Sequence, residues 1–202
     1  MFLKRAFDIV VSAGALVLLS PVLAVVAIVV LFDSGRPVFF PQERIGRGFR
    51  PFRLWKFRTM RQGAAGLPIT LPGDERITRA GRILRACKID ELPQLWNVLR
   101  GDMSLVGPRP EQPVYVEMFH DRYAAVLALR PGLTDSASIC FRYEDRVMAA
   151  SDDPEGEYTR HILPDKLALA QEYVRTRSFG GDLGILVRTL WAIAAPPLGR
   201  RG

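Results

Sequence analysis

"KIDELPQLWNVLRGDMSLVGPRPE", residues 88–111, combines an acidic pair, an amphipathic helix pattern and a Pro-Arg-Pro turn. Its middle part predicts a short helix, because proline is tolerated in a first turn and Gly101 supplies a C-terminal stop. The carboxylates of Asp90 and Glu91 stand at the start of this helix, and Arg109 follows in a stiff Pro-Arg-Pro turn. The predicted buried stripe of the helix consists of Leu92, Leu95, Trp96 and Leu99.

An acidic pair at a helix start has two interpretations. In the first, it caps the helix and interacts with the helix dipole, and a cap stabilises a helix by about 0.5–2 kcal/mol. In the second, it is catalytic, because a carboxylate among cations can attack phosphorus to form an acyl phosphate and can hold Mg²⁺ beside substrate phosphates. Four basic residues that could converge on the pair favour the second interpretation: Lys56, Arg58, Arg85 and Arg109.

The N-terminus is the strongest compositional feature of the chain. Between residues 6 and 32 the only charged residue is Asp8, and this run exceeds the roughly 20 apolar residues that a membrane helix needs. A cleaved signal peptide fits poorly, because the run is too long and no small-residue cleavage site precedes the next charged block. We therefore predict insertion into a membrane.

A proline near the middle of this run leaves two membrane topologies open. Each half around Ser20-Pro21 has about 12–15 residues, or roughly 18–22 Å of helix, which is shorter than ~30 Å of hydrocarbon. The Ser20 hydroxyl would satisfy a carbonyl that Pro21 leaves without a donor. Basic residues flank both ends, Lys4 and Arg5 before the run and arginines in residues 36–53 after it, which indicates that both ends are cytoplasmic. A re-entrant helix and a kinked single-pass helix both fit the residues.

The segment after the membrane run is basic and reads as a β-hairpin. "PVFFPQERIGRGFRPFRLWKFRTM" alternates apolar and basic residues about Gly46 and Gly48. Seven lysines or arginines and no acid lie between residues 44 and 61. This basic face either lies in solvent near anionic headgroups or forms a phosphate-binding wall, with Lys56 and Arg58 on one side of a strand.

Composition limits the class of protein. The chain has 202 residues, of which 49% are hydrophobic, enough for one core, and a formal net charge of +7. This charge predicts polyanionic partners: nucleic acid, phosphorylated substrates or anionic lipid. Cys87 and Cys140 form no disulfide framework, and two distant histidines form no metal cluster.

The remaining patterns predict a helix-rich α+β fold. Helices are expected in residues 77–88 (with Thr78 as N-cap), from residue 112 to an end at Pro131-Gly132, and in residues 162–178 and 182–199. For the last, apolar helix, Trp191 suggests an interfacial anchor, whereas core packing is the interpretation favoured for Leu183, Leu186 and Leu190. We divide the chain into a membrane segment, residues 1–35, and one cytosolic catalytic domain, residues 36–202, with amphipathic surface helices and an interfacial C-terminal helix.

Six stretches carry a resemblance to a known family. In order they are "KRAFDIVVSAGALVLLSPVL", "WKFRTM", "DERITRAGRILR", "KIDELPQLWNVLRGDMSLVGPRP", "RPGLT" and "YVRTRSFGGDLGIL". Together they resemble the bacterial sugar transferases, the monotopic polyprenyl-phosphate phosphoglycosyl transferases. The resemblance covers nearly the whole chain, and the block from Asp-Glu-Leu to Gly-Pro-Arg-Pro is long and very specific.

The resemblance implies a reaction and a membrane topology. It implies that Asp90 attacks the β-phosphate of a UDP-sugar, that UMP leaves, and that a polyprenyl phosphate, in bacteria undecaprenyl phosphate, then takes the phosphosugar. Asp90 would also contact Mg²⁺. It further implies a re-entrant helix broken at Ser20-Pro21, in the bacterial inner membrane, with the catalytic domain on the cytoplasmic face. Exopolysaccharide, capsule, O-antigen or glycoprotein glycan assembly is the usual setting.

Other site residues also follow from the resemblance. Glu91 is implied to be an essential neighbour, either beside the metal or as a base for the lipid phosphate. Arg85 and Arg109 match phosphate- or nucleotide-binding positions, Lys56 and Arg58 lie in the matching basic strand, and Asp102 is interpreted as structural. Residues 135–165 depart from the family pattern and are expected to shape the sugar pocket, so the sugar is not predicted.

Two other functions compete with this one. A membrane-anchored module that binds nucleic acid or anionic lipid would explain the basic residues 44–61, but neither the Asp90-Glu91 pair nor the Pro-Arg-Pro turn. A CDP-alcohol phosphotransferase would need a spaced run of aspartates in a multi-helix bundle, which this sequence does not contain. Nucleic acid is therefore not an expected partner, and the sequence leaves the oligomeric state open.

Overall fold

Helices dominate the structure, a computed structural model that describes residues 2–61, 63 and 69–194. Two small two-stranded sheets accompany the helices, so the helix-rich α+β prediction is confirmed. Residues 62 and 64–68 lie outside the described residues, as does the predicted end of the last helix and of the domain, residues 195–202.

The first helix, α1 (Phe2–Ser34), has 33 residues and continues through Pro21. Within the described residues it is the one helix long and apolar enough to cross a membrane. Ser20 Oγ donates a hydrogen bond to the Val17 carbonyl at 2.8 Å, and this is the carbonyl that the missing proline N–H leaves without its i→i−4 donor. The predicted hydrogen bond is therefore present, within one unbroken helix, and the re-entrant path stays a prediction.

Both ends of α1 are attached to the same domain. Near the N-terminus, buried Asp8 accepts hydrogen bonds from Ser104 Oγ at 2.8 Å and from a neighbouring backbone amide. Near the C-terminus, Val30 packs in one apolar cluster with Phe57 and Leu84. The helix therefore lies along the domain and does not simply project from it.

The basic segment forms the predicted hairpin. Strands β1 (Phe39–Ile45) and β2 (Pro51–Phe57) are antiparallel, and Phe39 pairs with Phe57 at the open end. The tip is a 3-10 turn in which Gly48 has a φ of 68°, a left-handed conformation that favours glycine. The hairpin prediction is confirmed.

The motif that begins at residue 88 folds as a 3-10 turn, Ile89–Glu91, followed by α3 (Gln94–Arg100). It is preceded by α2 (Arg79–Ala86), where Thr78 accepts a hydrogen bond from the Gly81 amide as predicted. Gly101 ends α3 with a φ of 90°, which confirms the predicted stop.

One position of the predicted apolar stripe is wrong. Trp96 is 53% exposed, whereas Asn97 is buried. The reason is tertiary: Asn97 accepts from the Trp55 amide at 3.1 Å and donates to the Arg53 carbonyl at 2.8 Å, so it fastens α3 to β2. Asn97 Nδ2 also donates to Asp102 Oδ2 at 3.2 Å, a contact that fits the structural interpretation of Asp102.

A second sheet was not predicted from the sequence. Strands β3 (Ser104–Val106) and β4 (Gly132–Thr134) pair in parallel. A Cβ on Gly132 would lie 2.1 Å from the Gly107 backbone nitrogen, so only glycine allows this approach. The pairing holds the Pro-Arg-Pro turn, which follows β3, against the chain that enters β4.

The chain between these strands forms two helices where one was predicted. They are α4 (Pro113–Met118) and α5 (His120–Val126), separated at Phe119, which has non-helical φ and ψ of −122° and 34°. The core around them includes Tyr115, Tyr123 and Leu167.

The C-terminal third is helical. Its elements are α6 (Ser136–Cys140), α7 (Glu144–Ala149), α8 (Pro154–Glu157), a π-helical turn (Tyr158–Ile162), α9 (Leu163–Thr176) and α10 (Phe179–Ala194). In α10, Leu186 packs against the core as predicted. Leu190 is 67% exposed and Trp191 68% exposed, and Leu183 is also exposed. The core prediction for Leu183 and Leu190 is therefore wrong, because α10 turns Ile185 and Leu186 toward the core instead.

Candidate active site

Asp90 lies buried in the 3-10 turn between α2 and α3. The turn begins after Lys88, whose φ of 58° is left-handed and reverses the chain. The Asp90 residue is 6% exposed, and its Oδ1 has no hydrogen-bond partner among the residues that the structure describes. A buried carboxylate oxygen without a partner is costly in a fold, so this oxygen is available to a ligand.

Glu91, the next residue, is fully engaged. Arg109 donates to it through Nη2 at 2.6 Å and Nη1 at 3.4 Å, and Lys56 Nζ lies 3.1 Å from Oε1. The structure thus brings together three predicted site residues from β2, the 3-10 turn and the Pro-Arg-Pro turn.

The cations around Glu91 decide its ionisation. Burial by itself would raise the pKa of Glu91, but attraction to Arg109 and Lys56 outweighs burial and holds this pKa well below its ordinary value of 4.5. The same contact with Glu91 raises the pKa of Arg109. Burial, with a smaller effect of Arg109, lowers the pKa of Lys56 against the opposing pull of Glu91. The cluster therefore contains a firmly ionised carboxylate between two cations.

Asp90 has the opposite environment. Burial, and then the negative charge of Glu91, raise the pKa of Asp90 above its ordinary value of 3.8, while Lys56, Arg85 and Lys88 oppose the shift. Environments that push the pKa values of two neighbouring carboxylates apart are typical of sites where the two have different roles.

The two remaining predicted cations differ in their surroundings. Arg85, in the last turn of α2, is partly buried, and its side chain makes no hydrogen bond or ion pair with any described residue, although its charge acts on Asp90. Arg58 is buried and donates to the Arg36 carbonyl at 2.9 Å, to Ser34 Oγ at 3.2 Å and to the Ser34 and Gly35 carbonyls. Arg58 caps the C-terminus of α1, and no contact joins it to Glu91; its substrate-binding role stays a prediction.

Two polar residues of the site were not identified from the sequence. Gln94 is 1% exposed, and its Nε2 has no partner in the described part of the chain. The sequence feature that could have identified Gln94 is its position as a polar residue four places after Asp90. Asp135 accepts from the Arg109 amide at 3.1 Å and from the Ser138 amide at 2.7 Å. No local pattern marks Asp135, because its partner Arg109 is distant in sequence.

The donor set can be tested against the predicted Mg²⁺. No group of three or more metal-ligating side chains occurs in the described residues. The unpartnered Oδ1 of Asp90 is an oxygen ligand of the kind that Mg²⁺ prefers, and this ion is commonly held by one or two carboxylates together with substrate phosphates. Asp90 therefore fits a magnesium ion that arrives with a phosphorylated substrate, whereas Glu91 is already paired.

An apolar helix of membrane-crossing length is thus joined to a buried carboxylate pair with converging cations. Such cations suit ligands that carry phosphate groups, since charge-assisted hydrogen bonds to phosphate are strong. This combination is typical of membrane-associated proteins that act on phosphorylated ligands.

The chain belongs to the bacterial sugar transferase family, whose family profile matches residues 1–196. It is 40% identical over 192 residues to the UDP-glucose:undecaprenyl-phosphate glucose-1-phosphate transferase of Caulobacter vibrioides, covering 93% of this chain and 68% of that protein. It is 43% identical over 148 residues to the UDP-N-acetylgalactosamine-undecaprenyl-phosphate N-acetylgalactosaminephosphotransferase of Aeromonas hydrophila, covering 70% of this chain and 35% of that protein. The undecaprenyl-phosphate glucose phosphotransferase of Komagataeibacter xylinus is 39% identical over 200 residues, 94% of this chain and 35% of its own length.

These similarities confirm the predicted family and the prediction that the chain is a transferase. The chain spans 68% of the length of the first relative and 35% of the other two.

Proposed function

We propose that this protein transfers a phosphosugar from a UDP-sugar to undecaprenyl phosphate, giving a polyprenyl-diphosphate-sugar and UMP. The names of three relatives at about 40% identity support the acceptor, since all three contain undecaprenyl phosphate. The single observation that carries the chemistry is the buried Asp90, which has an unpartnered oxygen beside a Glu91 held by two cations.

In the first step, a carboxylate oxygen of Asp90 attacks the β-phosphorus of the UDP-sugar. The bond from this phosphorus to the oxygen that bridges the two phosphates breaks, and UMP leaves with that oxygen. The product on the protein is a phosphosugar-aspartyl acyl phosphate. The bond between the sugar and its phosphate stays intact.

In the second step, a phosphate oxygen of undecaprenyl phosphate attacks the same phosphorus. The acyl phosphate bond breaks, the carboxylate of Asp90 is regenerated, and a diphosphate links the lipid to the sugar. Both steps concentrate negative charge near phosphorus, so fixed cations stabilise their transition states.

Lys56 and Arg85 act electrostatically on Asp90, and Arg109 pairs with the neighbouring Glu91. The Arg85 side chain, which makes no hydrogen bond or ion pair within the described residues, suits the donor diphosphate. The depressed pKa of Glu91 makes this residue a weak base near neutral pH. The contacts of Glu91 therefore favour a role in which it holds Lys56 and Arg109 in place. They do not favour a role as the base that removes a proton from the lipid phosphate. Mg²⁺ bound at Asp90 would neutralise charge on the donor diphosphate.

The membrane part of the proposal is that α1, which continues through Pro21, enters the inner membrane of a bacterium and turns back at Ser20-Pro21 to the side from which it came. At ~1.5 Å per residue, α1 is roughly 50 Å long, more than a crossing of ~30 Å requires. The attachment of both helix ends to one domain supports a path that returns to the same side. We place the domain on the cytoplasmic face, at the first membrane step of exopolysaccharide, capsule, O-antigen or glycoprotein glycan assembly.

The test uses the full chain in membranes or nanodiscs with Mg²⁺ and a panel of UDP-sugars. With donor alone, we expect release of UMP and a phosphosugar adduct on Asp90 by intact-protein and peptide mass spectrometry. Addition of undecaprenyl phosphate should discharge the adduct into lipid-linked product. Accumulation of that product with no adduct on any aspartate would rule out the covalent mechanism.

A further inference from the structure

A cleft lies beside the catalytic cluster and has a different chemical lining. It is formed between the Pro-Arg-Pro turn, α6 and α9, and encloses about 380 Å³ including its open mouth. Its polar lining residues are Arg109, Glu111, Tyr123, Asp135, Ser138 and Lys166, and the rest of the lining is apolar. The cleft thus shares Arg109 with the catalytic cluster, where this residue holds Glu91.

Ser138 presents an unused hydroxyl to this cleft. Its Oγ is buried and has no hydrogen-bond partner in the residues that the structure describes. The hydroxyl does not cap α6, since the helix is capped by Asp135, whose Oδ1 accepts from the Ser138 amide at 2.7 Å. A buried hydroxyl without a partner is unfavourable, so a ligand with its own hydrogen-bonding groups would complete this position.

Asp135 joins the cleft to the catalytic residues. Its Oδ2 accepts from the Arg109 backbone amide at 3.1 Å, and the Arg109 side chain reaches Glu91 at 2.6 Å. A ligand group next to Ser138 is therefore separated from the carboxylate pair by one residue of the Pro-Arg-Pro turn. This is the arrangement needed if the reacting phosphate and the rest of one substrate occupy adjoining sites.

The opposite wall carries Lys166. Its Nζ lies 2.5 Å from Glu144 Oε2 and 5.2 Å from the centre of the Tyr158 ring. The cleft is therefore lined by a lysine, two carboxylates and a hydroxyl, of which the Ser138 hydroxyl is unpaired in the described residues, whereas the catalytic cluster consists of two carboxylates and the cations around them. A mixed set of donors and acceptors suits a polyol such as a sugar ring, because each sugar hydroxyl both donates and accepts.

We propose that this cleft binds the sugar ring of the donor, and that Ser138 selects among sugars by hydrogen bonding to a ring hydroxyl. The inference rests on the proposed function and deepens it. Because a site built around a hydroxyl partner discriminates strongly against analogues that misplace that group, one serine is enough to alter the donor preference.

The experiment compares donors that differ in one ring position, such as UDP-glucose and UDP-galactose, or in one substituent, such as the N-acetylhexosamines. UMP release gives kcat/KM for each donor with the wild type and with two variants, Ser138→Ala and Ser136→Ala. Ser136→Ala is the control, because Ser136 lies in the same helix but outside the cleft lining. We expect Ser138→Ala to lower kcat/KM for the best donor by about tenfold or more and to reduce the preference over its epimer. The control should keep the wild-type preference.

Thermal unfolding separates a ligand role from a structural one. Because Ser138 Oγ has no partner in the described fold, Ser138→Ala should not lower the unfolding midpoint. A large decrease of the unfolding midpoint, or an unchanged donor preference, would overturn the inference about Ser138. The proposed function would still stand in that case if the wild type releases UMP. Failure of the wild type to release UMP from any donor would overturn both.

Discussion

At the scale of single residues, Asp90 and Glu91 are sequence neighbours in opposite electrostatic environments. Glu91 is held ionised by Arg109 and Lys56, while burial and the charge of Glu91 raise the pKa of Asp90. Asp90 also retains an oxygen with no partner in the described residues. The geometry therefore distinguishes two carboxylates that the sequence presents as a pair, and it favours Asp90 as the proposed nucleophile.

Asp90→Asn should separate activity from stability. We expect UMP release to fall by about 10³-fold or more, since the amide cannot replace the attacking carboxylate. The unfolding midpoint should rise, because the substitution removes a buried charge whose pKa is raised by burial. UMP release and thermal unfolding of the same preparation provide both measurements.

The matched control is Asp121→Asn, which changes a fully exposed aspartate and should leave both quantities unchanged. Full turnover by the Asp90 variant would refute the assignment of the nucleophile.

Lys56→Met should shift the pH profile of single-turnover UMP release. Asp90 must be ionised to attack, so the rate falls as pH decreases through its pKa, which is raised above 3.8. The Lys56 charge favours the ionised form of Asp90, so its removal should raise this pKa further and move the acidic limb to higher pH. Arg53→Met, an exposed cation on the same strand, serves as the control. A shift to lower pH would contradict the electrostatic role of Lys56.

At the scale of secondary-structure elements, two contacts position the catalytic residues. Asn97 fastens α3, and with it the preceding 3-10 turn, to β2, which carries Lys56. The β3–β4 pairing at Gly107 and Gly132 holds the Pro-Arg-Pro turn that carries Arg109. These contacts hold the 3-10 turn next to β2 and the Pro-Arg-Pro turn next to β4.

Arg58→Met tests whether this arginine is a helix cap or a substrate contact. Its guanidinium donates to backbone carbonyls at the C-terminus of α1, so its removal should destabilise the protein by about 1–3 kcal/mol through unsatisfied acceptors. The KM for the UDP-sugar should change little. Chemical unfolding and UMP-release kinetics measure the two effects, with Arg53→Met as the exposed control. A tenfold rise in KM at unchanged stability would instead support the substrate-binding prediction.

At the scale of the whole molecule, α1 and the domain form one unit. The N-terminal half of α1 packs with α3, β3 and α10, and the C-terminal half packs with α2 and β2. Much of the remaining surface of α1, together with Leu190 and Trp191 of α10, is apolar and exposed. This surface is where the domain would meet a bilayer.

Cysteine labelling tests the membrane path. Exposed Cys87 and Cys140 are first replaced by serine, and single cysteines are then introduced by Phe2→Cys and Arg36→Cys, which flank α1. A re-entrant helix predicts that an impermeant maleimide labels both positions only from the cytoplasmic side of oriented membranes. Labelling of the two positions from opposite sides would establish a single crossing instead.

The local features of this protein were determined by its sequence alone. The hairpin about Gly46 and Gly48, the Thr78 cap, the stop at Gly101 and the family were all predicted correctly. The three structural features depend on signals between near neighbours, such as a side-chain cap or a left-handed glycine, that act over one or two turns of chain. The family was recognised from motifs spread over nearly the whole chain.

Only the tertiary structure decided which polar groups are paired. It placed Arg58 at the end of α1, whereas Lys56, two residues earlier, contacts Glu91. It also left an oxygen of Asp90 and the hydroxyl of Ser138 without partners in the described residues. The physical reason is that burial and charge pairing depend on residues distant in sequence, and no local pattern encodes which of them will meet.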